Sequence, residues 1–213
     1  MEQPWWCSDC LRALPLIRPP CCELCSQPFE GSADPSFICP NCHGKPFHFS
    51  HAIAAVSSRG AIRELVHGLK YRRQAWAARP LAEIAAGALA DPRLRHDSPE
   101  VLVPVPLHPL RQRERGFNQS ELLAREIGRL SGLPVQGLLR RIRATTTQTH
   151  FDRRTRMRNL RGAIALRHNA AVKPLSILLV DDVLTTGSTL DECARVLLEA
   201  GYPQPAALAV ARG

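Results

Sequence analysis

Aromatic side chains are scarce in this sequence: three Trp, two Tyr and six Phe, 5% of 213 residues. A single one, Phe151, falls within the arginine-rich stretch 139–161, short of the interleaving with which a groove stacks single-stranded bases. There is no run of 18 apolar residues, and "LAEIAAGALA" (81–90) is too short to span a bilayer and carries Glu83. The opening "MEQPWWCSDC" has neither the basic n-region nor the apolar h-region of a secretory signal. A cytoplasmic protein without membrane insertion is expected. Internal repeats and low-complexity segments are also lacking. With 45% hydrophobic and 22% charged residues, the chain reads as globular and long enough to bury a core.

Cysteine and charge are both placed unevenly. Seven of the eight cysteines lie in the first 42 residues, with Cys193 alone near the other end. "CELC" (22–25) and "CPNC" (39–42) form C-x2-C-x13-C-x2-C, two knuckles able to place four thiolates on a tetrahedron, as in a structural zinc ribbon. Cys22, Cys25, Cys39 and Cys42 are the expected Zn²⁺ ligands. "CSDC" adds Cys7 and Cys10 as further candidate ligands, with a redox dithiol as the alternative. The first 50 residues hold three basic against five acidic side chains, so the net +9 arises from a surplus of eleven afterwards. Eight arginines and one acid, Asp152, occupy 139–161. That balance suits a polyanion or phosphorylated ligand, or a solvated basic face.

The character of the chain changes near 48–52, which divides it into a zinc-ribbon module over 1–48 and a second module over 52–213. In the latter, "AIRELVHGLK" (61–70) has helical spacing and 76–90 reads as a second helix. "VLVPVPLH" (101–108) is a β-branched run ended by prolines. A helix within 111–130 is capped by Asn118 or Ser120. "RGAIAL" (161–166) and "LSILLV" (175–180) read as strands, 189–201 as a helix and 206–211 as a closing strand. Alternating strands and helices predict a parallel α/β sheet.

"ILLVDDVLTTGSTL" (177–190) carries the chemistry. Asp181 and Asp182 fall at the C-terminal end of a buried strand, where ligands of such sheets sit. The loop after them, with Thr185, Thr186, Gly187, Ser188 and Thr189, runs into a helix start whose N–H groups suit an anion. The acids would repel that anion and are therefore expected to hold sugar hydroxyls or Mg²⁺. A ribose 5-phosphate meets both halves. A P-loop is excluded because GxxxxGK(S/T) is absent, and a receiver domain because only 31 residues follow Asp182.

This stretch resembles the phosphoribosyl pyrophosphate (PRPP) motif of type I phosphoribosyltransferases. With "VPVPLHPLRQRERGFNQSELLA" (103–124), "RATTTQTHFDRRTRMRNLRGAIAL" (143–166) and the CxxC-rich front, nearly the whole chain resembles the ComF family of competence-associated proteins, GntX-like members included. The resemblance implies a type I phosphoribosyltransferase-like parallel sheet flanked by helices, with an N-terminal zinc ribbon. It implies that Asp181 and Asp182 contact ribose, the catalytic centre if the chain is a transferase, and that Thr185 to Thr189 hold the 5-phosphate. Pro106, Leu107 and His108 would form the pyrophosphate turn. Arg113, Arg115, Gly116, Asn118 and Gln119 match the family's "RGFNQ", and Lys70 its "LKY" block. Gln148, Arg154, Arg158 and Asn159 match a mobile hood loop, into which His150 also falls. Such chains commonly have two ribbons, and only six residues precede Cys7. Cys7 and Cys10 thus belong to a truncated or lost first site, or join other ligands such as His43.

Two functions follow. One is a PRPP-binding protein that, if active, transfers phosphoribose with release of pyrophosphate in the presence of Mg²⁺. The other is a non-catalytic competence factor for DNA uptake or utilisation, with single-stranded DNA or competence-machinery proteins as partners. The sequence names neither the acceptor nor the oligomeric state.

Overall fold

Four strands share one sheet: β1 (Ala52–Ser57), β2 (Val101–Pro104), β5 (Ile177–Leu184) and β6 (Ala206–Arg212), in the order β1-β6-β5-β2 and parallel at every pairing. β3 (Leu139–Arg141) and β4 (Ile164–Leu166) form a separate antiparallel pair. This computed structural model describes residues 5–31, 34, 36–95, 98–144, 160–167 and 174–213. Described helices of the long segment are α2 (Gly60–Tyr71), α3 (Ala78–Gly87), α4 (Pro109–Arg115), α5 (Gln119–Ser131) and α6 (Ser188–Glu199), after a short N-terminal α1 (Ser8–Arg12). No described helix is long and apolar enough to cross a membrane.

The parallel α/β sheet expected from the alternation is present, with differences at particular elements. β5 runs to Leu184, so both acids lie within the strand rather than after it; β6 keeps pairing with them, Asp181 opposite Ala209 and Leu184 opposite Arg212. The stretch 111–130 breaks at Gly116, whose φ of 87° ends α4. Of the two candidate caps of α5, Asn118 does the capping, its side chain accepting from the Ser120 N–H at 3.1 Å. The segment 161–166 contributes β4 to the antiparallel pair, not to the main sheet.

Side chains alternate across the central strands and so feed two buried layers. Leu178, Val180 and Leu208 pack with Ile62, Val66 and Leu69 of α2, Leu81 of α3, and Leu123 and Ile127 of α5. Ile177, Leu179 and Ala209 face the other way, onto Leu190, Cys193 and Leu197 of α6. That second layer also contains Cys22, Cys25, Cys39, Cys42 and Phe49. The cysteine knuckles therefore cover part of a sheet face that α6 leaves open.

Specific bonds hold them there. The Ala52 N–H donates to Leu24 O at 2.9 Å and Ser26 Oγ to Ala52 O at 3.1 Å. Arg93 reaches from the α3–β2 connection, paired with Asp91 at 2.8 Å, and donates to Glu23 O at 2.9 Å and Ser26 Oγ at 3.1 Å.

Close packing of α5 sets a direct test. A Cβ on Gly128 would stand 2.7 Å from Leu133 O and 3.0 Å from Val135 Cγ2, whereas one on Gly87 meets nothing within 4 Å. Both lie in helices, where Ala is otherwise favoured by about 1 kcal/mol. Gly128→Ala is expected to lower the denaturation midpoint by the equivalent of about 1–3 kcal/mol, and Gly87→Ala to leave it unchanged or raise it. Urea unfolding followed by circular dichroism checks both.

Candidate functional site

The site begins where β2 stops. Val105 N–H bonds Val180 O at 2.9 Å, and Pro106 then carries the chain away without a further donor. The flank of β5 at Asp181 and Asp182 is thereby opened. Alternation assigns the neighbouring acids to opposite faces of the sheet. Asp182 is 3% exposed, and its Oδ1 takes Lys70 Nζ from the last turn of α2 at 3.0 Å. Its Oδ2 is buried with no hydrogen-bond partner among the described residues, a condition that costs about 1–3 kcal/mol unless something fills it. Burial draws the Lys70 pKa down, but the charges of Asp182 and Asp181 more than offset this and hold it above its ordinary value.

Asp181 keeps part of its surface open while its carboxyl is enclosed. Its Oδ1 accepts from Ser120 Oγ at 2.9 Å and from the Asp182 N–H at 2.9 Å. Burial, and then the charge of Asp182, push its pKa up to about 7, against the opposing pull of Lys70 and these two donors. One lysine therefore serves two carboxylates in a poorly solvated place, and a further cation or donor is electrostatically welcome there.

The "RGFNQS" segment frames the same acids. Asn118 is buried and its Nδ2 donates to Val105 O at 3.0 Å, tying the start of α5 to the end of β2. Arg115 lies over the Tyr71 ring, 5.4 Å from its centroid, and donates to Gln119 Oε1 at 2.8 Å. Arg113 is on the exposed surface of α4.

After β5 the chain turns through Thr185, Thr186 and Gly187. Gly187 takes φ 75° as the N-cap of α6, a conformation that suits glycine. Thr186 Oγ1 and Ser188 Oγ are 2.9 Å apart, Ser188 is buried, Thr189 half-buried and Thr185 exposed. The first-turn N–H groups of α6 begin at this bend, where the Ser188 N–H reaches Thr186 Oγ1 at 3.4 Å.

Pro106 and Leu107 line a cavity of about 610 Å³ together with Arg125, Arg140, Arg141 and Arg167. Neither acid lines it. His108 caps α4, its Nδ1 accepting from the Leu110 N–H at 3.3 Å. Arg141 connects the two places: burial lowers its pKa while the charges of Cys193 and Asp181 oppose the fall and Arg111 adds to it. Glu192 of α6 holds the base of the antiparallel pair by accepting from the Gly162 N–H at 2.7 Å.

Four sulfurs form a separate centre. Cys22, Cys25, Cys39 and Cys42 are buried, and their Sγ atoms all lie within 4.8 Å of one another. The Cys39 N–H donates to Cys22 Sγ at 3.3 Å. Sharing of hydrogen bonds with Cys25 and Cys42 lowers the Cys22 pKa. The Cys22 interaction pushes Cys25 up to about 11 and Cys42 higher still. Four thiolates this close need a cation, so the donor set fits a metal ion held by sulfur. Cys7 and Cys10 are exposed, and neither they nor His43 enter a metal-ligating group of three or more among the described residues. Cys193 is fully buried core.

Lys70 and the two acids thus come together, and the 185–189 bend follows directly on the end of β5. Gln148, His150, Arg154, Arg158 and Asn159 lie outside the described residues. Sequence reasoning missed Arg93, counted Arg141 only as one of the arginines of 139–161, and weighed Ser120 only as a cap. The Ser120 bond to Asp181 spans 61 positions, and no local pattern signals such a contact.

No protein-family model matches the chain. It is 36% identical over 198 residues to DNA utilization protein YhgH of Salmonella typhimurium, covering 92% of this chain and 85% of that one. It is 30% identical over 202 residues to Competence protein F of Haemophilus influenzae, covering 93% and 86%. Competence protein ComFC of Bacillus subtilis is 29% identical over 201 residues, covering 92% and 78%. Among solved structures, a purine phosphoribosyltransferase from Pyrococcus horikoshii aligns with 60% of this chain and 69% of its own at 18% identity and a TM-score of 0.37, too low a likeness to decide anything by itself. With two relatives at 30% identity or more along nearly their whole length, the chain belongs to the family of Competence protein F and DNA utilization protein YhgH.

Proposed function

We propose that this chain binds PRPP, or a closely related ribose phosphate, at the C-terminal end of β5. The observation that carries the reading is Asp182: a buried carboxylate pinned by Lys70 through one oxygen, its other oxygen without a partner among the described residues, followed by a glycine-containing bend at a helix start. Asp182 and Asp181 would accept from the ribose hydroxyls and hold Mg²⁺, and Thr185 to Thr189 would take the 5-phosphate. Pro106, Leu107 and His108 stand as the pyrophosphate turn, with Arg113 and Arg115 as basic neighbours. Bound Mg²⁺ would supply positive charge where pyrophosphate departs, if the chain is a transferase. Lys70 keeps the acid pair in place, and Ser120 orients Asp181. Cys22, Cys25, Cys39 and Cys42 are proposed to hold Zn²⁺ in a structural role.

The arginine-lined cavity favours a second reading, which coexists with the first: binding of a nucleic-acid backbone. The names of the relatives connect them to competence and DNA utilisation. Four arginines and one acid, Glu121, line the cavity, and Glu121 is already engaged by Arg125 at 2.6 Å.

Calorimetry with PRPP and Mg²⁺ is expected to give saturable binding that Asp182→Asn weakens by about tenfold or more, roughly 1.4 kcal/mol; unchanged affinity in the variant would dispose of the site. Because the Asp181 pKa is raised to about 7, a ligand that needs its carboxylate must displace a proton at lower pH. Affinity is expected to hold above pH 7 and to fall by up to about tenfold per pH unit below it. For the second reading, anisotropy with a single-stranded oligonucleotide should show salt-sensitive binding. Arg140→Glu with Arg167→Glu should weaken it and flatten the salt slope; an unaltered slope would count against the cavity.

A further inference from the structure

The cysteine centre and the 185–187 bend share a cavity. Cys25 and Cys42 line a space of about 120 Å³ together with Phe49, Thr185, Thr186 and Gly187. Phe49, 2% exposed, lies so close behind the bend that a Cβ on Gly187 would be 3.5 Å from its Cζ. Phe47 stacks on Phe49 with ring centroids 4.6 Å apart. Between them, His48 donates its backbone N–H to Asp191 Oδ1 at 2.7 Å, with its ring Nδ1 3.1 Å from the same oxygen. Asp191 belongs to the first turn of α6. The segment 47–49 follows Cys42 by a few residues and thus braces both the bend and the helix whose N-terminus completes it.

The bend has little internal support. Thr185 is exposed and the Gly187 N-cap has no side-chain bond to α6. Among the described residues its side-chain bonds join Thr186 and Ser188, the Ser188 N–H standing 3.4 Å from Thr186 Oγ1. The knuckle over 39–44 is made of turns, and cysteine knuckles of this kind draw their folding energy from metal. We infer that the four-cysteine centre positions the anion-binding bend: metal held by Cys22, Cys25, Cys39 and Cys42 sets the 47–49 segment, and Phe49 and His48 set the bend against which a phosphate docks. Phe49 is a positioning residue here, since its ring backs the bend. The identity of the ligand rests on the ribose-phosphate reading; the mechanical coupling does not.

The test compares three preparations of the full chain: zinc-loaded, chelated, and zinc-loaded Phe49→Ala with its metal content verified. Hydrogen–deuterium exchange reads the amides of 184–191, with 101–104 and 177–180 as reporters of the sheet. Exchange in 184–191 is expected to rise by about tenfold or more on chelation and in Phe49→Ala, with the sheet amides still protected. PRPP affinity in the presence of Mg²⁺ should fall by about tenfold in Phe49→Ala. Unchanged bend exchange in both altered preparations overturns the inference. If chelation also releases the sheet amides, Phe49→Ala decides, and Phe49→Leu replaces it if the alanine variant does not fold. Failure of the zinc-loaded wild type to bind PRPP would overturn the ribose-phosphate reading alone, because the exchange result still judges the coupling.

Discussion

A parallel sheet has to be dry on both faces, and this constraint organises the molecule. Ile177, Leu179 and Ala209 face one way, Leu178, Val180 and Leu208 the other, so each side requires a cover. α2, α3 and α5 supply one. The other receives α6 and, in the remaining space, the cysteine knuckles. Four buried sulfurs, Phe49 and the Arg93 clamp do there what an additional helix would do elsewhere. Knuckles built largely of turns serve this purpose when their sulfurs are cross-linked through a metal, since their own apolar area is too small to hold them.

Covering both faces leaves the C-terminal rim of β5 as the place where polarity is concentrated. Two acids enter a region from which water is largely removed, opposed by one lysine. Breaking such a pair usually costs about 3–5 kcal/mol, because the surviving charge stays buried, whereas the exposed i,i+4 pair of Arg125 and Glu121 contributes about 0–1 kcal/mol. The raised pKa of Asp181 and the Oδ2 of Asp182, which has no partner among the described residues, are two aspects of one condition: more negative charge than the described partners offset. A site that is unsatisfied in this way favours a ligand bringing hydroxyl donors and a divalent cation together, and disfavours a bare anion.

Arginine follows a different logic. The arginines that surround Pro106 and Leu107 come from α5 and from the antiparallel pair, Arg140 and Arg141 on β3 and Arg167 just after β4. Their convergence makes a second basic surface near the acid pair but not part of it, with Arg141 electrostatically linked to both. The arginine-lined cavity and the acid pair are thus two distinct places within one chain, since neither Asp181 nor Asp182 lines that cavity.

Local patterns determined a good deal on their own. Spacing made Cys22, Cys25, Cys39 and Cys42 a metal set, because knuckle geometry is a short-range property. The apolar run before Asp181 announced a buried strand, and "TTGST" announced a bend into a helix. The cap of α5 was legible to within two residues, Asn118 or Ser120, because capping is decided within three residues, and the structure selects Asn118. Tertiary structure alone decided the rest. It extended β5 past its acids, since β6 continues beside it, and it split 111–130 at Gly116. It also brought Ser120 to Asp181 and Phe49 behind Gly187. These contacts join positions 61 to 138 residues apart in the chain, and a side chain's partner across a sheet is chosen by packing rather than by its neighbours in sequence. Composition and spacing could state which chemistries were available; only the folding of the sheet between its two covers decided which of them meet.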